Sequence, residues 1–249
     1  MKRLFCLRLF CFLAALGMMT LGVSAAQKTD EFVTKSGKKV TITCIKHASM
    51  QINFDGVEIE VDPVGFWLKP ETDYATFPKA NIILVTHEHK DHFDRAAIQD
   101  LRTPATSIYV NPAVFGHFKN GLTMRNGEKL KYSDDITIEA VPAYNTTPEH
   151  QQFHPKGRDN GYVLTLDGLR IYIAGDTEDI PEMAELKDID IAFLPCNQPY
   201  TMTVEQCVNA ARIIKPKVLF PYHYNDTPVH KISMQLAGSG IDVRIRDYK

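Results

Sequence analysis

The run Ile82-Ile83-Leu84-Val85-Thr86-His87-Glu88-His89-Lys90-Asp91-His92 decides how the chain is read. Four consecutive apolar residues are what a strand buried on both faces requires. Directly after them come three histidines and an aspartate in the spacing H-x-H-x-D-H. Imidazole and carboxylate together are the donor set for Zn²⁺ or a related first-row metal, manganese and iron included. Such a string arises by chance in fewer than roughly one chain in a thousand of this length. The residues cannot all reach one ion. His87 and His89, two apart in an extended segment, point the same way, and Asp91 and His92 turn toward a second position nearby.

The elements around this run are of mixed type. Before it, Val40, Ile42 and Cys44 alternate with polar residues, and Ile52 and Phe54 lead through Asp55-Gly56 to Val57, Ile59 and Val61. Alternating runs joined by Asp-Gly predict an antiparallel hairpin. Residues 64–80 read as a loop over one end of the sheet. After the run, strands fit Ser107–Val110, Ile136–Val141, Tyr162–Leu166, Arg170–Ile173, Ile189–Leu194 and Val218–Phe220. Helices fit 94–102, 112–119, 182–187, 203–214 and 230–237, the fourth with an apolar stripe of Cys207, Ala210, Ala211 and Ile214. Hairpins followed by alternating strands and helices predict a layered α/β domain, with polar clusters at strand ends.

Composition narrows the function classes. The chain has 249 residues, 44% of them hydrophobic and 23% charged, which excludes disorder and allows one large core. A net charge of −2 argues against nucleic acid as a partner. Lys2, Arg3 and Arg8 precede an uncharged stretch from Leu9 to Val23, followed by Ser24-Ala25-Ala26. This is the pattern of a cleavable secretory signal over residues 1–26, cut after Ala25 or Ala26, and too short for a bilayer span. Its removal takes away three positive charges and leaves −5 on a single domain at 27–249 with no membrane span. Cys44, Cys196 and Cys207 remain, without a C-x-x-C pair, and read as small buried hydrophobes. Asn145-Thr146-Thr147 and Asn225-Asp226-Thr227 are glycosylation sequons beside candidate ligands, which in an exported chain favours a bacterial periplasm.

The histidine motif at the end of an apolar strand resembles that of the metallo-β-lactamase superfamily, and the likeness extends over 40–246. Gly175-Asp176-Thr177 after Ile171–Ala174 is similar to the family's metal-bridging aspartate segment. Pro221-Tyr222-His223-Tyr224 is similar to its final histidine segment. Val61-Asp62-Pro63, His47 and Leu194-Pro195 resemble the branch of ascorbate-6-phosphate lactonase and N-acyl-phosphatidylethanolamine phospholipase D. The resemblance implies a four-layer αββα sandwich and an exported hydrolase with two divalent ions. It places His87, His89 and a third histidine on one ion, Asp91, His92 and His223 on the other, and Asp176 between them. A metal-bridging hydroxide would then attack an ester, lactone or phosphodiester of a small-molecule, anionic substrate. Asp91 is the candidate catalytic residue, orienting the nucleophile and carrying a proton.

One position departs from the family pattern. Asn145 stands where a ligand histidine is usual, and a neutral amide is a poor zinc ligand. His154 supplies the missing imidazole in this reading, with His150 as its competitor and no third histidine as the remaining alternative, and Asn145 lies behind the ligands or against substrate. The rival reading is a non-catalytic metal-binding protein with an incomplete site. His47 either faces the site or is a satisfied sheet histidine, and Asp62 either buttresses a ligand or ends its strand. Lys156, Tyr144, Tyr200, Tyr222 and Tyr224 are candidate substrate contacts, with core packing as the alternative for each tyrosine. Phe66 and Trp67 either form a lid or anchor their loop.

Overall fold

A computed structural model describes residues 29–248, so the leader expected at 1–26 lies outside the described residues. Alternation at the start of the chain builds an antiparallel meander of β1 (Thr29–Val33), β2 (Lys39–Lys46), β3 (Ser49–Phe54) and β4 (Val57–Val61). Asp55 and Gly56 take φ of 52° and 81°, the two left-handed residues that a tight I′ hairpin demands, and Phe54 pairs with Val57. The apolar run then adds β5 (Ile82–Leu84) parallel to β4, followed by β6 (Ser107–Val110) and β7 (Leu122–Thr123). Helices α1 (Arg95–Leu101) and α2 (Pro112–Phe118) make the crossovers. Asp94 caps α1 through the Ala96 amide, and Asn111 caps α2 ahead of Pro112.

The second half repeats this plan. Its strands are β8 (Lys129–Lys131), β9 (Ile136–Ala143), β10 (Asp159–Leu166), β11 (Leu169–Ile173), β12 (Ile191–Pro195), β13 (Val218–Tyr222) and β14 (Asp242–Val243). Each sheet has seven strands in sequence order, antiparallel through the first four and parallel through the last four. Helices α3 (Val204–Ile214) and α4 (His230–Gln235) serve the second sheet. Thr203 and Gln206 form a reciprocal capping box at the start of α3.

Ile42, Ile52 and Ile59 of the first sheet share one apolar cluster with Ile138, Leu164 and Phe193 of the second. On the other face of the first sheet, Ile83 and Val85 pack against Ala97, Ile98 and Leu101. The order of layers is therefore helix, sheet, sheet, helix, the αββα sandwich that the motifs imply. Cys44, Cys196 and Cys207 are buried and form no disulfide among the described residues.

Two differences from the sequence reading have plain causes. Residues 182–187 do not form an α-helix; Pro181–Glu185 make only a 3₁₀ turn, short enough to be set by the chain's return to β12. Strands β1, β7, β8 and β14 were beyond reach of periodicity, since β7 and β14 have two residues each, β8 has three, and β1, Thr-Asp-Glu-Phe-Val, does not alternate apolar with polar residues.

Side-chain alternation puts Glu60 on the face of β4 opposite Ile59 and Val61, where it is wholly buried. Burial pushes its carboxyl up to about 8, Glu58 adds to the rise, and the hydrogen bond from Gln51 Nε2 at 2.9 Å opposes it. A carboxyl with a raised folded-state pKa binds a proton on folding. Its contribution to stability is therefore complete below about pH 4.5, its unfolded value, and is lost as pH rises through about 8. Glu60→Gln should flatten the fall of Tm between pH 5 and pH 9, by an amount equivalent to about 4 kcal/mol. An unchanged slope would show that Glu60 ionises freely in the fold.

Candidate metal centre

Several strand ends meet at one edge of the sandwich. β2 leads into His47, β4 into Asp62, β5 into Thr86–His92, β11 into Asp176 and β13 into His223. Their side chains form two groups of metal-ligating donors. His87, His89, His154 and Asp176 bring donor atoms within 4.8 Å of one another, and so do His47, Asp91, His92 and His223. Asp176 lies between the groups. Its Oδ2 is 3.8 Å from His87 Nε2, 3.4 Å from His154 Nε2 and 3.3 Å from His223 Nε2, while Oδ1 is 3.3 Å from His92 Nε2.

Those inward atoms are buried and carry no hydrogen bond. The Nε2 atoms of His87, His92, His154 and His223, and Oδ1 of Asp176, all belong to this class. Leaving a buried polar atom unpaired costs about 1–3 kcal/mol, so such a cluster is costly unless something else satisfies it. A cation does so, because neutral imidazole nitrogens and a carboxylate each present a lone pair to it. The donor set fits divalent metal.

Three of the rings, those of His87, His92 and His154, are held from behind. Asp62 Oδ2 takes His92 Nδ1 at 2.8 Å, and Asp159 Oδ2 takes His154 Nδ1 at 2.9 Å. The Thr86 hydroxyl donates to Asp62 Oδ2 at 2.7 Å and lies 2.9 Å from His87 Nδ1. Bonding Nδ1 in this way turns Nε2 toward the centre. Arg158 Nε, at 2.7 Å from Asp159 Oδ1, keeps that second carboxylate in place.

The backbone contributes strain at the same edge. His47, Asp62 and His223 have φ of 50°, 44° and 48°, a region that costs a residue with a Cβ about 1–2 kcal/mol. The His47 and His223 turns are fixed by backbone hydrogen bonds, the His223 N–H donating to His47 O at 3.0 Å and the His47 N–H to Tyr248 O at 2.7 Å. Gly175, at φ 66°, has no room for a Cβ, which would fall 2.7 Å from Asn160 O. That close approach is what sets Asp176 against the Thr86 loop.

Charge in the cluster is strongly coupled. Burial lowers the imidazoles of His87 and His89, and neighbouring histidines push the same way. His47 falls to about 4 by burial and by His223, against the bond to Asp91. Burial would also lower His92 and His223, but Asp176 overrides it and raises both. Burial raises the Asp91 and Asp176 carboxyls, yet the histidines around them win and hold both below the usual carboxylate range. The carboxylates demand positive charge, which a metal ion supplies as well as a proton does.

Of the two histidines left open by the sequence, His154 stands in the cluster. His150 turns away, with Nδ1 3.1 Å from buried Glu178 Oε1. Asn145 is buried beside His154, its amide N–H bonded to His154 O at 2.8 Å and its side-chain nitrogen donating to the Tyr200 and His150 carbonyls. Lys156 reaches Glu182 at 2.7 Å and the Tyr144 hydroxyl at 3.1 Å, both outside the two donor groups. Tyr222 is no substrate contact: it is wholly buried and donates to Gly175 O at 3.3 Å, supporting the Asp176 turn from the core. Tyr224 is nearly buried, while Tyr200 is exposed. Sequence reasoning overlooked Thr86 and Asp159. The signal for Asp159 was an acidic residue five positions after His154 at the head of a strand.

A family model described as a beta-lactamase superfamily domain matches residues 41–223. The chain belongs to the metallo-β-lactamase superfamily. Within that superfamily it is 28% identical over 222 residues to a UPF0173 metal-dependent hydrolase of Methanopyrus kandleri, covering 82% of this chain and 94% of the relative. A relative of the same name from Ignicoccus hospitalis is 31% identical over 204 residues, covering 76% and 84%. Among solved structures, a protein of Parabacteroides distasonis assigned to the metal-dependent hydrolases is 55% identical. It superposes with a TM-score of 0.86 over 90% of this chain and 100% of its own.

His154→Ala should lower bound metal, measured by elemental analysis, while His150→Ala leaves it unchanged. Asp159→Asn should weaken metal affinity about 10- to 100-fold without unfolding the protein. Equal metal content in both alanine variants would place the third imidazole elsewhere.

Proposed function

We propose that this chain is an exported hydrolase using two divalent metal ions, zinc first and manganese or iron otherwise, on an ester, lactone or phosphodiester of a small anionic molecule. The observation that carries this reading is the Asp176 carboxylate set between two groups of buried, unpaired imidazole nitrogens. The names of the relatives as metal-dependent hydrolases support it, and export is proposed on residues 1–26 alone. Divalent ions in such a site supply Lewis acidity and bring the pKa of water toward neutrality.

The chain's own residues divide the remaining work. His87, His89 and His154 would hold one ion, His92, His223 and Asp91 the other, with Asp176 shared. Asp91 is the accessible carboxylate of the cluster, its side chain 37% exposed where that of Asp176 is 3% exposed. It can take a proton from attacking water and pass it to the departing oxygen. His47 Nε2 donates to Asp91 Oδ2 at 3.0 Å and orients it. The His47 ring also packs against that of His223 at 3.7 Å, so one side chain positions two members of the group. The rival reading of an incomplete, non-catalytic site has only Asn145 in its favour, and the presence of His154 in the first donor group supports the catalytic reading over it.

The test is elemental analysis of metal-replete protein together with a panel of nitrophenyl esters, lactones and phosphodiesters. Two equivalents of metal and turnover lost on chelation are expected. Asp91→Asn should hold the second equivalent of metal more weakly and, with metal in excess, still lose about 10²- to 10⁴-fold in kcat. Asp176→Asn should lose metal and activity together. Full turnover by the metal-free protein would end this reading.

A further inference from the structure

His154 comes to the first donor group from the connection between β9 and β10 rather than from a strand end. With asparagine at position 145, the imidazole is supplied nine residues further along the chain. The intervening residues hold one short piece of regular structure, a 3₁₀ turn at Pro148–His150. No ladder of strand bonds fixes a ligand carried in this way, so side chains must place it. Asp159 and Arg158 orient the ring where the connection ends. The part just after β9 is held by a carboxylate that belongs to neither donor group.

That carboxylate is Glu178. Its side chain is wholly buried, and its Oε2 accepts hydrogen bonds from two adjacent residues. The Thr146 N–H donates at 2.8 Å, the Thr146 hydroxyl at 2.8 Å and the Thr147 N–H at 2.7 Å. Oε1 lies 3.1 Å from His150 Nδ1. All of these partners lie within 146–150, so the carboxylate is spent on the connection alone. A charged acceptor makes each such bond about twice as strong as a neutral one, and its loss would leave two backbone N–H groups without their partner.

The same segment carries the shared ligand. Glu178 stands two residues after Asp176, and its N–H donates to Tyr144 O at 3.0 Å. Between them in the chain, the Thr177 hydroxyl accepts the Tyr144 N–H at 3.1 Å. From Thr146 the bonding passes to Asn145, whose N–H donates to His154 O at 2.8 Å and whose side-chain nitrogen donates to His150 O at 3.2 Å. One continuous set of bonds thus runs from the Asp176 segment through Glu178, Thr146 and Asn145 to His154.

We propose that Glu178 is a positioning residue for the first ion. By pinning Thr146 and Thr147 it keeps the connection folded against the Asp176 segment, so that His154 Nε2 stays 3.4 Å from Asp176 Oδ2. The bonds to the chain itself do the holding, and His150 only occupies the second oxygen. The proposal rests on the metal reading above and deepens it by naming what holds the loop histidine against the shared carboxylate.

A double-mutant cycle read in metal affinity separates this role from general support of the fold. Zinc-loaded full-length protein would be titrated with a competing chelator as the unaltered chain, Glu178→Ala, His154→Ala and the double variant. Glu178→Ala should weaken one of the two bound ions about 10- to 100-fold and leave the other within threefold. In the His154→Ala background the same change should cost less than about threefold further, because the ring it positions is gone. Amide exchange at saturating zinc gives a second readout. Thr146 and Thr147 should lose at least about tenfold in protection in Glu178→Ala, while β5 and β13 keep theirs. Where Glu178→Ala does not fold, Thr146→Val, which removes one bond to Oε2, takes its place in the cycle with an expected loss of at least about threefold. Unchanged zinc affinity would overturn the positioning role, and so would a loss of equal size with and without His154. In either case two ions on the unaltered chain leave the metal reading standing. An unaltered chain that binds no zinc removes that reading, and the positioning role with it.

Discussion

Five buried atoms, four imidazole nitrogens and one carboxylate oxygen, converge on a small volume without hydrogen-bond partners. In water each would be solvated, and in an apolar core each would be excluded. Their presence together requires a compensating positive charge, and every neighbouring feature serves to hold them there. Asp62, Asp159 and the Thr86 hydroxyl fix the rings of His92, His154 and His87 from behind, so these three have little freedom to turn away and find other partners. The three left-handed turns at His47, Asp62 and His223 raise the cost of the fold at the same edge.

The repeated order of the two sheets explains how such a cluster is assembled. The first half of the chain supplies His47, His87, His89, Asp91 and His92, and the second supplies His154, Asp176 and His223. Each donor group therefore draws on both halves, and the two halves also share the apolar core between the sheets. Packing Ile42, Ile52 and Ile59 against Ile138, Leu164 and Phe193 is thus what sets the distances among the ligands. A change that shifted one sheet on the other would move His223 relative to Asp91 before it exposed any core residue.

The features legible in the sequence were those with a local cause. The Asp55-Gly56 hairpin, the buried β5 run and the capped α3 each follow from neighbouring residues, and each lies where the pattern puts it. The H-x-H-x-D-H run was legible because its spacing alone implies metal chemistry. What escaped was set by distant partners. Tyr222 reads locally as either a substrate contact or a packed residue, and the packing of β13 beneath the Gly175 turn decides for burial. Thr86 reads as a polar strand end, and its hydroxyl matters only because β4 delivers Asp62 beside it. The two-residue edge strands have no room for a period at all.

His154 shows how a loop can do what a strand end does elsewhere in the cluster. A ligand on a connecting segment starts with more freedom than one anchored to a strand, and affinity suffers unless that freedom is removed. Here Asp159, the first residue of β10, takes the ring nitrogen, and Arg158 clamps the same carboxylate. Arg158 also donates to Phe153 O at 2.7 Å and reaches Glu88 Oε1 at 3.4 Å. Glu88 lies between His87 and His89, so one guanidinium couples the loop histidine to the two strand-end histidines of its group. His154 is thereby held through a network of charged residues that border the first donor group. The geometry of that group depends on Arg158 although the guanidinium ligates nothing itself.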